Sequence, residues 1–330
     1  MTLPEILRRP LALPAVAAPL FIVSGPELVI AQCRAGVVGS FPALNARPAE
    51  KLADWLDEIA ERTAGHAPFA VNQIVHRSND RLEHDLQVCV EHKVPIVITS
   101  LGAREDVNAA VHSYGGIVLH DVINDRFAHK AIEKGADGLI AVAAGAGGHA
   151  GTTSPFALIR EIRQWFDGPL LLSGSMAHGR SVLAAQVAGA DLAYIGSAFL
   201  ATHEANNTEA YKDMVVSSTA SDIVYSNLFT GVHGNYLRGS IAAAGLDPDD
   251  LPLSDPSKMS FGTGGETATS GGDEPSAKAW RDIWGSGQGI GAIDRRLSVA
   301  ELVEQLRSQY DEALATPVWT GRESRDLLAQ

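Results

Sequence analysis

The sequence predicts an α/β fold: a (β/α)8 barrel of the TIM type with a C-terminal helical and loop extension. Three observations predict it. Eight short apolar or β-branched runs recur along the first part of the chain. Amphipathic segments separate most of them. The spacing from one run to the next averages about 25 residues, the length of one βα unit, and eight such units close a barrel.

The runs lie at residues 16–22, 36–41, 69–74, 95–100, 116–120, 138–143, 169–173 and 192–196. They are mostly continuous rather than alternating, as strands buried on both faces of a parallel sheet require. Helix-like segments occupy 49–62, 80–92, 125–134, 156–165 and 179–187. Asn45-Ala46-Arg47-Pro48 precedes the first of these, and Ser154-Pro155 sets proline at an early helical position of the fourth. Residues 133–142 (EKGADGLIAV) and 187–196 (VAGADLAYIG) follow one scheme. A helix ends at Gly135 or Gly189, an Ala-Asp turn follows, and a buried strand begins. An open, doubly wound sheet uses the same units and is the alternative architecture.

After residue 201 the repeat stops. Helical stretches are expected at 210–216 and 238–244, and residues 260–276 form a long loop rich in glycine, serine and threonine. A last amphipathic helix over 298–313 carries Leu302, Val303, Leu306 and Tyr310 near helical spacing. The expected organisation is therefore a barrel over 1–201, an extension over 202–297 packed on the barrel mouth, and a returning helix within 298–330.

Composition excludes several classes. The chain has 330 residues with 39 acidic and 26 basic side chains, a formal charge of −13 that argues against nucleic acid or an anionic membrane as partner. No stretch approaches the roughly 20 apolar residues of a membrane span. Two cysteines, Cys33 and Cys89, are too few for a disulfide framework or a structural zinc cluster, so a cytoplasmic setting is expected. Arg8 and Arg9 precede an apolar stretch, but prolines break it and it runs into a strand without a clean cleavage site. A homodimer is compatible with the sequence. Glycine is the outlier, at 32 residues, near a tenth of the chain against the usual ~7%.

Active sites of such barrels sit at the C-terminal ends of the strands. The seventh run leads into Ser173-Gly174-Ser175 and the eighth into Gly196-Ser197. Both are small-residue turns whose N–H groups can approach a phosphate, in the position where this fold usually binds one. The sixth leads into Gly145-Ala146-Gly147-Gly148-His149-Ala150-Gly151. Ala150 stands where a dinucleotide fingerprint needs glycine, so the glycines are read instead as a loop passing close to a flat ligand, with His149 as its reactive group. Asn72 ends the third run, where an amide can meet a heterocycle's edge or cap the next turn. His120 and Asp121 end the fifth, as an acid–base pair or as caps of the helix after Asn124. A second glycine cluster, residues 284–291, offers Trp284 as a cover for a flat ligand. No metal-binding or nucleophile-elbow motif is present, and no metal is expected.

Taken together, these segments resemble the nitronate monooxygenase family, formerly the 2-nitropropane dioxygenases. The resemblance covers most of the chain. It rests on Ala18-Pro19-Leu20-Phe21, residues 36–40, 68–72 and 135–138, Gly147-Gly148-His149-Ala150-Gly151, Ser173-Gly174-Ser175, residues 196–202 and Gly285-Ser286-Gly287-Gln288-Gly289. It implies a barrel binding FMN non-covalently and oxidising alkyl nitronates or nitroalkanes with O2 to a carbonyl compound and nitrite. It implies His149 as the catalytic histidine. The candidate FMN contacts are Ala18, Pro19, Leu20, Phe21, Asn72, His120, Gly147, Gly148, Ser173, Gly174, Ser175, Gly196, Ser197, Trp284 and Ser286.

Two positions depart from the family pattern. Ser175 stands where many relatives have glycine, keeping the N–H and adding a hydroxyl that could reach the phosphate. Asp121 stands where some relatives have lysine, which removes a cation from beside the flavin. FMN-dependent reductases of enoyl or quinone substrates, using NAD(P)H, share the Gly-Gly-His loop and are the alternative activity. A barrel binding a phosphorylated ligand without redox chemistry is a third reading.

Overall fold

A computed structural model describes residues 3–254 and 282–316. The expected loop at 260–276 lies outside the described residues, as does the end of the chain from 317. Eight parallel strands form the barrel: β1 (Ala15–Ala17), β2 (Gly39–Pro42), β3 (Phe69–Ile74), β4 (Ile96–Ser100), β5 (Ile117–Val122), β6 (Gly138–Val142), β8 (Leu170–Ser173) and β9 (Leu192–Ile195). Their order is β1-β9-β8-β6-β5-β4-β3-β2, and a parallel bridge from Val16 to Val38 closes the ring. The helices are α1 (Pro26–Ala35), α2 (Lys51–Arg62), α3 (Leu82–Glu91), α4 (Glu105–His112), α5 (Asp125–Glu133), α6 (Pro155–Ile162), α7 (Gly179–Ala188), α8 (Ser197–Leu200), α9 (Glu209–Ser217), α10 (Arg238–Ala243) and α11 (Val299–Ala315). The closed barrel, rather than an open sheet, is thus the architecture.

Strand alternation divides the core into two layers. Val16, Val38, Ala70, Ile98, Leu119, Ile140 and Leu171 fill the barrel interior. Val71, Val97, Val118, Leu139 and Leu172 face outward under the helices. The Ala-Asp turns anchor the barrel's lower rim. Asp137 and Asp191 each accept a backbone N–H from the preceding strand, Val118 at 2.7 Å and Leu170 at 2.8 Å. Gly135 and Gly189, at φ 89° and 117°, supply the left-handed residue that ends the helix before each turn.

The observed elements differ from the sequence reading in three places. The first run, expected over 16–22, pairs only at Ala15–Ala17; the chain then turns, with Ile22 at φ 68°. Gly36, read as the start of a strand, is the left-handed C-cap of α1, a helix the sequence reading passed over along with α4. Residues 202–297 were expected to be helix and loop. They also contain β10 (Ile223–Ser226) and β11 (Gly234–Leu237), which join β7 (Gly148–His149) in an antiparallel sheet.

Helix α11 packs against α7 and α1. Its seat is tight: a Cβ on Gly179 would lie 2.3 Å from both Leu306 O and Tyr310 N. The Gly179 N–H donates to Gln309 Oε1 at 2.9 Å, and Tyr310 Oη donates to Gln186 Oε1 at 2.5 Å. Gly179→Ala should therefore force α11 away from α7 and lower stability by about 1–3 kcal/mol. Chemical denaturation measures this, and a change within about 0.5 kcal/mol, ordinary for a surface substitution, would contradict it.

Candidate active site

The C-terminal ends of the barrel strands open into a cavity of about 1450 Å³. Its floor is set by strand alternation. Ala70, Ile98, Leu119 and Leu192 face the barrel interior, so Asn72, Ser100, Asp121 and Tyr194, two residues further along, face the same way one layer higher. All four line the cavity. Asn72 Nδ2 donates to Ile98 O at 3.1 Å and to Ser100 Oγ at 2.7 Å; Ser100 Oγ in turn donates to Asp121 Oδ2 at 2.6 Å. Asp121 and His120 do not pair and do not cap a helix, because neighbouring strand residues point to opposite faces. His120 turns outward to Thr99 Oγ1, 2.6 Å from its Nδ1, and Asn124 caps α5. Burial lowers the His120 pKa to about 4.

His149 lies on β7, opposite Gly234 of β11. Gly148, at φ 66°, bends the chain so that a two-residue strand can follow the loop. His149 Nε2 lies 3.0 Å from Thr230 Oγ1, itself 3.1 Å from Val232 O, so Thr230 holds the ring by its Nε2 edge. Desolvation lowers the His149 pKa to about 4, so the imidazole is neutral at physiological pH.

The glycine clusters serve a purpose the sequence did not show. A Cβ on Gly147 would meet Gly287 N at 2.8 Å, and one on Gly287 would meet Gly145 O at 2.5 Å. One on Gly289 would lie 2.8 Å from the Ser175 carbonyl carbon. The loops after β6 and β8 and the 285–289 segment are interlocked backbone to backbone, and the glycines make that approach sterically open. Further bonds fasten them. Gln288 N–H donates to Gly145 O at 2.9 Å, and Gly287 N–H to Ser197 Oγ at 2.8 Å.

Ser175 occupies a left-handed position, φ 57°, which accounts for glycine being acceptable there. Its N–H is engaged by Gly145 O at 3.3 Å, so the N–H expected to reach a phosphate is spoken for within the protein. The N–H groups of Met176 and Ala177, two cavity residues one step on, have no acceptor among the described residues.

The segment Ala18–Phe21 lies along the opposite wall. Asn45, expected only as part of a helix start, does not cap α2 but clamps this wall: its Oδ1 accepts from Ile22 N–H at 2.8 Å, and its Nδ2 donates to Leu20 O and Ser24 O at 3.0 and 2.8 Å. Arg47 covers the Phe21 ring at 5.4 Å. Of the expected residues, Ala18, Pro19, Leu20, Phe21, Asn72, His120, Gly147, Gly148, His149, Ser173, Gly174, Ser175, Gly196, Ser197 and Ser286 all line this one cavity. Trp284 does not. Its ring stacks on Tyr211 at 4.9 Å, and Tyr211, which does line the cavity, donates to Gly285 O at 2.5 Å. Trp284 thus supports the glycine segment from behind instead of covering a ligand.

Ser100 and Tyr194 carry no such expectation, although both lie near the C-terminal ends of barrel strands, as Asn72 does. Thr230 had no sequence signal. Among the described residues no group of three or more histidine, cysteine or acidic side chains could hold a metal ion. No helix among them is long and apolar enough to cross a membrane.

Residues 27–309 match the sequence profile of the family described as nitronate monooxygenase. The chain belongs to the nitronate monooxygenase family. The chain is similar to several known proteins at modest identity. A monooxygenase of Mycobacterium tuberculosis is 28% identical over 231 residues, 68% of this chain but 61% of the relative, less than two thirds of its length. A nitronate monooxygenase of Paraburkholderia phytofirmans is 26% identical over 351 aligned positions, covering 91% of this chain and 93% of the relative. Among solved structures, nitroalkane oxidase from Streptomyces ansochromogenes shares the fold at TM-score 0.75 and 24% identity, over 94% of this chain and 99% of that one. FabK from Thermotoga maritima shares it at TM-score 0.76 and 22% identity, over 94% and 96%. Membership of this family makes the protein a flavin-dependent oxidoreductase acting on a small molecule.

The cavity fits a flavin on its own terms. Among the described residues, Asp121 Oδ1, Tyr194 Oη and Ser286 Oγ are buried cavity-lining atoms without a hydrogen-bond partner, and the Met176 and Ala177 N–H groups at the mouth of β8 have no acceptor. Buried polar atoms left open at a cavity wall are the groups a polar ligand satisfies.

Proposed function

We propose that this protein binds FMN and oxidises alkyl nitronates, or the nitroalkanes that give rise to them, with O2 to a carbonyl compound and nitrite. The observation that carries this reading is the neutral His149, held by Thr230 on one wall of the cavity whose other loops suit a phosphate. In this reading Gly174, Ser175, Gly196 and Ser197 border the phosphate, with Met176 and Ala177 as donors. Ala18–Phe21, Asn72, Gly147, Gly148 and Ser286 border the ring, and His120 lines the same cavity from the outward face of β5. Bound FMN would supply the electron chemistry. The chain's own contribution is proton handling and orientation. The neutral His149 imidazole accepts the carbon-bound proton of a neutral nitroalkane, or orients a nitronate that is already anionic. The extension at 202–297 contributes Thr230 and the sheet that carries His149, and we propose it as the unit that covers the barrel mouth, with the helix within 298–330 returning to the barrel wall.

A second reading, an NAD(P)H-dependent FMN reductase of an enoyl or quinone substrate, is favoured by the fold shared with FabK. Two assays separate the readings. Nitronate oxidation predicts oxygen uptake with nitrite release from propionate 3-nitronate and no need for a reduced nicotinamide. Reductase activity predicts rapid anaerobic bleaching of the flavin by NADH or NADPH, and that result without nitrite formation would overturn the first reading.

A further inference from the structure

Among the described residues, Asp121 Oδ1 and Tyr194 Oη are buried atoms of the cavity floor without a hydrogen-bond partner. They come from different sides of the barrel: β6 and β8 stand between β5 and β9 in the sheet. Each reaches inward, and the charge of Asp121 acts on the Tyr194 hydroxyl. The large majority of buried side-chain polar atoms in folded proteins find a partner. Two that stay open on one cavity floor, within electrostatic reach of each other, describe a site with its ligand atom missing from the protein's own inventory.

The carboxyl is fixed in place. Ser100 Oγ donates to Oδ2, Asn72 Nδ2 donates to Ser100 Oγ, and Asn72 is itself tied to Ile98 O. This relay holds one carboxyl oxygen and leaves the other open. The groups facing Asp121 are Ser100 from β4, the apolar Ile140 of β6 and Tyr194 from β9; His120, its neighbour on β5, is turned away to Thr99. Among the described residues no lysine or arginine offsets the negative charge. Ser100 alone favours the ionised form, and burial outweighs it, pushing the carboxyl up to about 6.

We propose that Asp121, in its protonated form, and Tyr194 together make a two-donor hydrogen-bond site for an acceptor atom on the edge of the bound flavin ring. This inference rests on the FMN reading above. A neutral carboxylic acid and a phenol are both O–H donors, and in an apolar surround they form a strong pair toward an oxygen or nitrogen that gains negative charge. The ionised carboxylate has only lone pairs to offer and would repel the same acceptor. Flavin binding therefore requires a proton on Asp121. The sign follows: the free protein's carboxyl holds that proton below about pH 6 and loses it above. Above that pH each binding event must take up a proton, and the apparent Kd rises about tenfold per pH unit.

The test is a fluorescence titration of FMN into the flavin-free full-length protein at pH 6, 7 and 8, with Asp121→Asn and Tyr194→Phe in parallel. The phosphate's own ionisation is common to all three proteins and cancels in the comparison. The native protein should weaken by more than tenfold between pH 6 and pH 8. Asp121→Asn, whose amide donates at every pH, should stay flat, and Tyr194→Phe should bind several-fold more weakly at all three pH values while keeping the native slope. Equal slopes for native protein and Asp121→Asn would overturn the proposal. Calorimetry of the native protein in two buffers of different ionisation enthalpy gives the proton count independently of any variant. About one proton taken up per flavin at pH 7.5 supports the proposal, and none overturns it. FMN that binds with no pH effect refutes the donor pair alone, whereas a native protein that binds no FMN at any pH refutes the FMN reading beneath it.

Discussion

His149→Ala should retain bound FMN and lose about 10²–10⁴-fold in kcat/KM toward a neutral nitroalkane, the range a positioned general base contributes. The loss toward a preformed nitronate should be smaller, since that substrate arrives without the proton. The pH dependence has a definite sign. A base acts in its deprotonated form, and burial holds the His149 pKa near 4. Activity dependent on it should hold as pH falls through the ordinary histidine range and decline only as pH approaches that lower value. Steady-state kinetics with nitroethane and its nitronate, over a pH series, measures both effects. Full activity of the variant with the neutral substrate would remove His149 from its assigned role.

Gly287→Ala should weaken FMN binding by at least tenfold and lower stability by about 1–3 kcal/mol. Gly287 has an ordinary φ of −93°, so its backbone accepts alanine without strain. The cost is contact: the added Cβ would sit 2.5 Å from Gly145 O and 2.8 Å from Gly147 N. Both partners are backbone atoms of the loop that leads to Gly148 and His149, and no side-chain rotation relieves the clash. The loop must move, and the Gly287–Ser197 and Gln288–Gly145 hydrogen bonds move with it. A flavin titration with a denaturation curve reads both changes, and unchanged affinity would show that the interlocked loops do not shape the flavin site.

The parts of this fold that could be read from the sequence are those with local causes. Strand β3 lies at Phe69–Ile74, where the run after Pro68 predicts it. Helix α7 was found through its glycine terminus, and the Ala-Asp turns at 135–138 and 189–192 were recognisable because Gly135 and Gly189 carry the left-handed residue themselves. All but one of the expected site residues line the cavity for a related reason: barrel topology sends every strand end to the same mouth, so a residue such as Asn72 or Ser173 is placed there by its strand alone.

What escaped depends on distant pairing. Gly148–His149 looked like loop because its hydrogen-bonding partner, β11, lies over 80 residues away and the strand is two residues long. Thr230 orients His149 from that same distant segment, and Asn45 holds the Ala18–Phe21 wall from a turn with no chemistry of its own. The glycines of 145–151 and 285–291 were read as room for a ligand, yet much of that room is filled by each other's backbone. Trp284 was read as a ligand cover because an exposed-looking indole beside glycines suggests one, and Tyr211 takes that face instead.

The central claim is that one cavity, floored by Asp121 and Tyr194 and walled by His149, holds FMN and uses it on nitronates. The measurement that tests it most directly is oxygen consumption and nitrite release on adding propionate 3-nitronate to protein carrying FMN, followed alongside the flavin's visible absorption. The account predicts one flavin per chain, oxygen uptake without NADH or NADPH, and nitrite formed in step with the carbonyl product. A protein that binds FMN but releases no nitrite from any nitronate, while NADPH bleaches the flavin anaerobically, would contradict it.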